Sequence, residues 1–176
     1  ELIRPSAEGA ASAKIDFEQE AKLDADIAPP AGAQVDWTRL HRIFLTGATG
    51  FLGSAMLEEM LRRSGTTVYC LVRADDAEQA FRKLEKSFAD YGRSTVNLRE
   101  RVVPVLGDLK SPRFGLTPEA FQQLAAEVDV VVHNGASVNL VFPYEMLRDV
   151  NVGGTREAIR LACAVRPKPL HFVSTF

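Results

Sequence analysis

The sequence has 176 residues, enough for one domain with a hydrophobic core but too few for a cofactor domain together with a full substrate domain. Hydrophobic residues make up 46% and charged residues 25%, close to the averages of soluble globular proteins, so neither disorder nor a membrane-spanning chain is expected. The net charge is -2 and no block of Lys and Arg is interleaved with aromatic residues, which argues against nucleic-acid binding.

The first 36 residues differ in composition from the rest of the chain. They carry eight acidic and three basic side chains, whereas the remaining residues carry 15 acidic and 18 basic ones. Small residues and the break Pro29-Pro30-Ala31-Gly32 favour a linker with one helical turn. We therefore expect residues 1–36 to be an acidic linker from an upstream domain and residues 37–176 to be the folded unit. No secretory signal pattern occurs near the N-terminus, so the predicted compartment is the cytoplasm.

Regular alternation of strands and helices begins near residue 42. An apolar strand at 43–45 leads through a glycine-rich turn into residues 54–63, whose apolar side chains have helical spacing. The continuous apolar run at 67–72 predicts a second strand that helices cover on both faces. Asp75 or Asp76 can cap a helix that extends to about Tyr91.

The second half of the chain continues this alternation. A third strand is predicted at 101–106, where Pro104 lacks a ladder donor and therefore favours an edge position. The further elements are a helix opened by Thr117 and Pro118, a strand at 128–132, a helix at 150–165 and a strand at 170–173. This order predicts an α/β fold, a doubly wound parallel sheet of the Rossmann type with strand order 3-2-1-4-5, and a chain that ends after the fifth strand.

The turn after the first strand has the spacing Gly47-x-x-Gly50-x-x-Gly53. Between a strand and a helix, such glycines allow a tight turn, let backbone N–H groups approach a pyrophosphate, and let the helix pack against the strand. A P-loop is excluded because Ser54 follows the last glycine and no Gly-Lys-Ser/Thr occurs. The turn therefore predicts a dinucleotide site that uses Thr46, Gly47, Thr49, Gly50, Phe51, Leu52 and Gly53.

Arg73 follows the second strand, twenty residues after Gly53, at the position that distinguishes NAD from NADP. A carboxylate there would accept hydrogen bonds from a ribose 2'-hydroxyl, whereas a guanidinium offers a charged donor fork to a 2'-phosphate. Asp75 and Asp76 lie slightly further on and are interpreted as helix caps. The sequence thus predicts NADPH as the cofactor, with a solvated surface arginine as the alternative interpretation of Arg73.

Three further segments are expected at the carboxyl edge of the sheet, where ligands of open α/β sheets bind. Gly107-Asp108-Leu109 follows the third strand, and its aspartate could hydrogen-bond the adenine or only form a turn. Asn134-Gly135-Ala136-Ser137 follows the fourth strand, and its small residues leave room for the ribose and nicotinamide. Asn151 either caps the next helix or ties the active-site backbone together. His133 is predicted to pack at the strand end rather than to act as a general base.

Cys70 and Cys163 lie in a strand-like and a helix-like run, without a CxxC pattern or clustered histidines. We expect both thiols to be buried and reduced, and we predict no metal site.

Together these segments resemble the extended short-chain dehydrogenase/reductase superfamily and, more narrowly, the terminal thioester reductase domains of nonribosomal peptide synthetases and mixed synthases. The resemblance covers the chain from Leu23-Asp24, in the acidic linker, to the end. The motifs that carry it are residues 45–53, 69–74, 105–109, 133–139, 143–144, 151–155 and 168–175.

The resemblance implies NADPH-dependent reduction of an acyl chain held as a thioester on the phosphopantetheine arm of a carrier protein, with release of an aldehyde or an alcohol. By the same resemblance, Thr175 is the hydroxyl member of the family's Ser/Thr, Tyr, Lys set, and Ser174 is a neighbouring candidate. Lys83 resembles a second cation for the 2'-phosphate. The Tyr-x-x-x-Lys pair and the C-terminal substrate domain would lie beyond Phe176, so we expect the isolated chain to bind NADPH weakly and without catalytic turnover.

Four alternatives stay open at this point. A close relative could reduce a carboxylic acid or aminoadipate, and a redox-silent relative could release its chain by cyclisation. A cofactor-sensing regulatory domain would keep the dinucleotide site and perform no chemistry. A sugar-nucleotide epimerase is disfavoured by Arg73, because such enzymes resemble NAD binders.

Overall fold

The computed structural model describes residues 15–63 and 65–174. Its centre is a five-stranded parallel sheet with the order β3-β2-β1-β4-β5, which confirms the predicted fold. β3 is an edge strand, so Pro104 costs the sheet no ladder bond on its outer side. The strands are β1 (Arg42–Thr46), β2 (Thr67–Val72), β3 (Val102–Leu106), β4 (Val130–His133) and β5 (Leu170–Phe172).

Helices of various lengths join these strands. They are α1 (Phe17–Glu20), α2 (Phe51–Arg62), α3 (Ala77–Asp90), α4 (Leu98–Arg101), α5 (Pro118–Glu127), α6 (Tyr144–Arg148) and α7 (Gly154–Cys163). A 3₁₀ turn spans Pro112–Gly115, and a π-helical turn at Asp149–Gly153 connects α6 to α7. Among the described residues, no helix combines the length and apolar character that crossing a lipid bilayer requires.

Two separate hydrophobic cores lie on the two faces of the sheet. Alternate side chains of β1 point to opposite faces, so Leu45 packs with α2 and α3, whereas Phe44 packs with α5 and α7. Both side chains are 0% exposed. Because both faces are covered, the strand interiors are mostly apolar, as the continuous run in β2 predicts.

Two expectations from the sequence need correction. The helix predicted at 150–165 starts earlier, at Tyr144, because Pro143 occupies the position before the first turn, where its missing N–H costs nothing. The apolar residues Val141 and Phe142 precede Pro143, and the sequence pattern therefore does not show that a helix begins at Tyr144. Cys163 was expected to be buried but is partly exposed, since it ends α7; Cys70, in β2, is fully buried.

Residues 16–27, within the predicted linker, lie along α6 and α7; we name them the acidic strap. Glu20 accepts a hydrogen bond from Arg148 Nε at 2.9 Å, and Arg156 donates to the Glu20 carbonyl at 2.7 Å. Arg160 donates to Asp24 at 2.8 Å and also pairs with Asp26. Each of these partly exposed ion pairs contributes about 1 kcal/mol or less to stability, so the strap is held by their sum rather than by a single pair.

Apolar contacts also hold the acidic strap. The Phe17 ring meets the Tyr144 ring edge-on at a centroid distance of 5.3 Å, and Ile27 is 8% exposed. The strap is therefore attached at both ends, by an aromatic pair at one end and a buried isoleucine at the other.

Candidate cofactor site

The glycine turn has the backbone geometry of an anion-binding loop. Gly47 has a φ of +72°, and a Cβ placed there would lie 2.8 Å from the Cα of Gly135. A Cβ on Gly53 would overlap the Gly47 carbonyl oxygen, which is why α2 can approach the end of β1. Gly50 caps α2 without a side-chain hydrogen bond. The first-turn N–H groups of α2 are therefore available to a negatively charged ligand.

A cleft of about 510 Å³ opens at the carboxyl edge of the sheet in front of this turn. It brings together most of the residues predicted for a dinucleotide, and apolar side chains that the sequence analysis missed complete its walls. The predicted residues that line it are Gly47, Thr49, Gly50, Phe51, Leu52, Arg73, Gly107, Asp108, Leu109, Asn134, Gly135, Ala136 and Ser137. The additional ones are Leu71, Val72, Val138 and Val150.

A second cleft, of about 570 Å³, continues past Arg73 and contains Lys83. Lys83, on α3, donates from Nζ to the backbone carbonyl of Arg73, so its ammonium lies at the end of β2, and both residues line this cleft. Both side chains are exposed. Gly107 and Asp108 line both clefts, which makes the two spaces one continuous surface.

The carboxylates near Arg73 are engaged elsewhere. Asp76 accepts a hydrogen bond from the backbone N–H of Gln79 at 2.6 Å and caps α3, as predicted. Asp75 accepts from the side-chain amide of Gln79 at 2.9 Å. Asp75 and Asp108 line the same cleft as Arg73 and Lys83, and of these four side chains the two cations are the ones suited to a phosphate.

Thr46 and Gly53 lie beneath the clefts rather than in their walls. Thr46, predicted to contact the cofactor, is 0% exposed. Its Oγ1 accepts hydrogen bonds from the backbone N–H groups of Asn134 at 3.1 Å and Gly135 at 2.8 Å. The structure therefore corrects the prediction for Thr46: it supports the loop after β4 from behind.

Asn151 resolves the alternative left open by the sequence. It lies in the π-helical turn, and its Oδ1 accepts from the Ser137 N–H at 2.7 Å while its Nδ2 donates to the Ser137 carbonyl at 3.0 Å. A side chain in this arrangement mimics a strand partner for one residue. Asn151 therefore ties the backbone of the cleft together instead of capping α7, and it does so from outside the cleft.

His133 packs at the end of β4, as expected. It is 2% exposed, and its ring stacks on Phe172 with a centroid distance of 5.6 Å. Burial lowers the pKa of His133 to about 4, so the imidazole is neutral at physiological pH.

The hydroxyl candidates lie at or beyond the end of β5. Ser174 follows β5 at the carboxyl edge of the sheet, and its side chain is exposed. Ser174 is not among the described residues that line the two clefts. The N–H of Val173 donates to the His133 carbonyl at 2.9 Å, which aligns this segment with β4. Thr175 lies outside the described residues.

A family model described as "Male sterility protein", an NAD-binding family, matches residues 45–176. The chain belongs to this family. The cofactor of the male sterility protein family is a nicotinamide dinucleotide, and the glycine turn and the cleft fit such a group by their donors and their size.

The curated relatives are much longer than this chain. The chain is 44% identical over 159 residues to a component of the linear gramicidin synthase of Brevibacillus parabrevis, covering 90% of this chain and 3% of that protein. It is 43% identical over 137 residues to the L-2-aminoadipate reductase of Saccharomyces cerevisiae, covering 76% of this chain and 10% of that protein. The chain thus spans a small part of the relatives that it matches.

Solved structures place the same fold in reductase domains. The terminal R domain from the myxalamid PKS-NRPS biosynthetic pathway superposes with a TM-score of 0.86 and 45% identity, covering 90% of this chain and 41% of that one. A thiolation-reductase di-domain from an archaeal nonribosomal peptide synthetase has a TM-score of 0.64 and 28% identity, covering 78% of this chain and 28% of that one. The chain therefore corresponds to less than half of these structures.

Proposed function

We propose that this chain is the NADPH-binding part of a cytoplasmic thioester reductase that releases an acyl or peptidyl chain from a carrier protein. The observation that carries the choice of NADPH is the meeting of Arg73 and Lys83 at the end of β2, beside the cleft. Similarity to terminal R domains supports the reaction class. We call the region of Arg73 and Lys83 the adenosine end, and the region of residues 134–137 the nicotinamide end.

The bound cofactor would supply a hydride to the thioester carbonyl carbon. Uptake of one proton and cleavage of the C–S bond would then give an aldehyde and the carrier thiol. A second hydride and a second proton would reduce the aldehyde to an alcohol. The N–H groups at the start of α2 would hold the pyrophosphate, and Arg73 with Lys83 would hold the 2'-phosphate. We propose that Thr175, or Ser174 beside it, donates a hydrogen bond to the thioester carbonyl oxygen, where negative charge develops.

The carrier protein is proposed as the partner on the N-terminal side, with residues 1–36 as the connection and residues 37–176 as the cofactor-binding unit. The thiolation-reductase di-domain supports this order, because it joins a carrier-type domain to a reductase of this fold. The attachment of the acidic strap to α6 and α7 means that part of this connection is packed on the reductase side.

The test of the cofactor is a fluorescence titration of the chain with NADPH and NADH. Wild-type protein should bind NADPH more tightly, and Arg73→Ala should weaken NADPH binding about tenfold to a hundredfold while NADH binding changes little, because a charged hydrogen-bond donor to phosphate is lost. Arg62→Ala is the matched control, since Arg62 is exposed and pairs with Glu59 away from the cleft. Equal affinities of the wild type for NADPH and NADH would contradict the proposal.

A second candidate is reduction of an amino acid such as aminoadipate, which is favoured by the 43% identity to the yeast reductase. Both candidates share the cofactor chemistry and differ in the acyl group. An assay of NADPH oxidation with defined carrier-bound thioesters, in a polypeptide that includes the remainder of the reductase, separates them. A domain that only senses the cofactor, or that releases its chain by cyclisation, would consume no NADPH in that assay.

A further inference from the structure

The Thr46 hydroxyl determines which nitrogen of the buried, neutral His133 ring carries the proton. Thr46 Oγ1 already accepts two backbone N–H groups, those of Asn134 and Gly135, and it lies 2.9 Å from His133 Nδ1. Its one proton is left for this third contact, so Nδ1 must be the acceptor. A neutral His133 therefore carries its proton on Nε2.

The opposite side of the ring continues the chain of hydrogen bonds. His133 Nε2 lies 3.3 Å from Thr155 Oγ1, and its N–H donates to that oxygen. The Thr155 hydroxyl in turn donates to the backbone carbonyl of Asn151 at 2.6 Å. Each donor in this series has one acceptor, and the direction of each hydrogen bond follows from the direction of the preceding one.

Both ends of this series of hydrogen bonds contact residues 134–137, which line the cleft. Asn151 holds both backbone groups of Ser137 with its side chain, and Thr46 holds the N–H groups at the start of the same loop. Residues 134–137 have no helix or strand of their own to keep them in place. They are held at one end by Thr46 and at the other by Asn151, and His133 with Thr155 connects these two supports.

We propose that His133 and Thr155 are positioning residues that set the nicotinamide end of the cleft by holding residues 134–137 through Thr46 and Asn151. The proposal rests on the proposed function, because it assigns the nicotinamide to this end. Neither side chain lines the cofactor clefts, so each acts through its neighbours. A helical threonine that bonds the carbonyl four residues before it is also common as a local feature, and the experiment must separate the two roles.

The experiment compares two ligands, NADPH and 2'-phosphoadenosine diphosphoribose, which lacks the nicotinamide. Thr155→Val removes the hydroxyl at nearly constant shape, and with it the contacts to His133 and to the Asn151 carbonyl, so NADPH binding should weaken about fivefold to tenfold. Binding of the nicotinamide-free analogue should stay within about twofold. Thr155→Ser keeps the hydroxyl and should behave as the wild type with both ligands.

Equal weakening of both ligands by Thr155→Val, or no weakening of either, would overturn the inference. A wild-type chain that binds neither ligand would instead refute the proposed function. Nitrogen-15 NMR of labelled histidines gives an independent readout that needs no variant, because the chain has three histidines and His133 is the buried one. We expect the Nε2–H tautomer for His133; an Nδ1–H tautomer contradicts the direction of the series.

Discussion

At the adenosine end of the cleft, Arg73 and Lys83 are exposed and charged, whereas at the nicotinamide end the supporting side chains of Thr46 and His133 are buried and neutral. The first arrangement draws affinity from charge in water, which salt screens. The second holds a loop in place by hydrogen bonds out of reach of solvent, where each unmade bond is costly. The two ends should therefore respond to different perturbations, and four predictions test that difference.

The largest effect is expected at Gly47, where the two ends meet. Gly47→Ala places a Cβ 2.8 Å from Gly135 and forces a left-handed alanine, so it should cost about 3 kcal/mol or more and weaken NADPH and its nicotinamide-free analogue alike. Titration with both ligands, together with thermal unfolding, measures this. Gly92→Ala is the control, since Gly92 also has positive φ but a Cβ there meets nothing within 4 Å. Similar losses in the two variants would mean that backbone strain, and not the contact with Gly135, is responsible.

Acid should act on the buried end. The folded pKa of His133 is about 4, below its ordinary value of 6.5, so the unfolded chain binds this proton first as pH falls. As the pH falls from about 6.5 to about 4, this group should lower the free energy of unfolding by on the order of 3 kcal/mol. Above about pH 6.5, His133 should cause no pH dependence of stability.

Denaturant titrations across this pH range measure the effect. His133→Phe keeps a ring against Phe172 but cannot titrate, so its stability should change less with pH than that of the wild type. Parallel pH dependences of the two proteins would show that other groups cause the acid sensitivity.

Salt and charge removal should act on the exposed end. Lys83→Ala should weaken NADPH about tenfold at low ionic strength, with a smaller difference in high salt, and leave NADH almost unchanged. Lys86→Ala provides the matched control, because Lys86 is also exposed on α3 but pairs with Asp90. A salt-independent loss, or an equal loss of NADH affinity, would place Lys83 outside the phosphate site.

The smallest effect is expected at the acidic strap, none of whose residues lines either cofactor cleft. Arg160→Ala removes the pairs with Asp24 and Asp26 and should weaken attachment of the strap by about 1 kcal/mol. Tryptic cleavage after the exposed Lys22 should then be about fivefold faster, while NADPH affinity stays unchanged. Cleavage at the wild-type rate would mean that the contacts of Glu20, Phe17 and Ile27 hold the strap without Arg160.

The sequence predicted the sheet order and the placement of Arg73 because both follow from local patterns: apolar runs of strand length, and a fixed distance from the glycine turn. Pro104 even identified the edge strand. The support beneath the cleft was not predictable in this way. Thr46 and His133 are separated by 87 residues, and nothing in either local sequence indicates that their side chains meet.

Other differences have the same origin. Glu20 and Arg148 are 128 residues apart, so composition marked the acidic segment as a linker although it packs against two helices. The π-helical turn that presents Asn151 to Ser137 has no periodicity of its own and was included in a regular helix. Long-range polar contacts and single irregular turns carry no repeating signal, and both contribute to this site.

The acidic strap also bears on where, under the proposed function, this chain can be joined to a foreign carrier domain. A junction placed after residue 36, where the composition changes, would discard the carboxylates of Glu20, Asp24 and Asp26. Arg148, Arg156 and Arg160 would then lose their partners on the strap, and a patch of positive charge would replace a set of ion pairs. Under the proposed function, a fusion to a foreign carrier domain should therefore keep the native sequence back to at least Asp16, so that the strap keeps its contacts with α6 and α7.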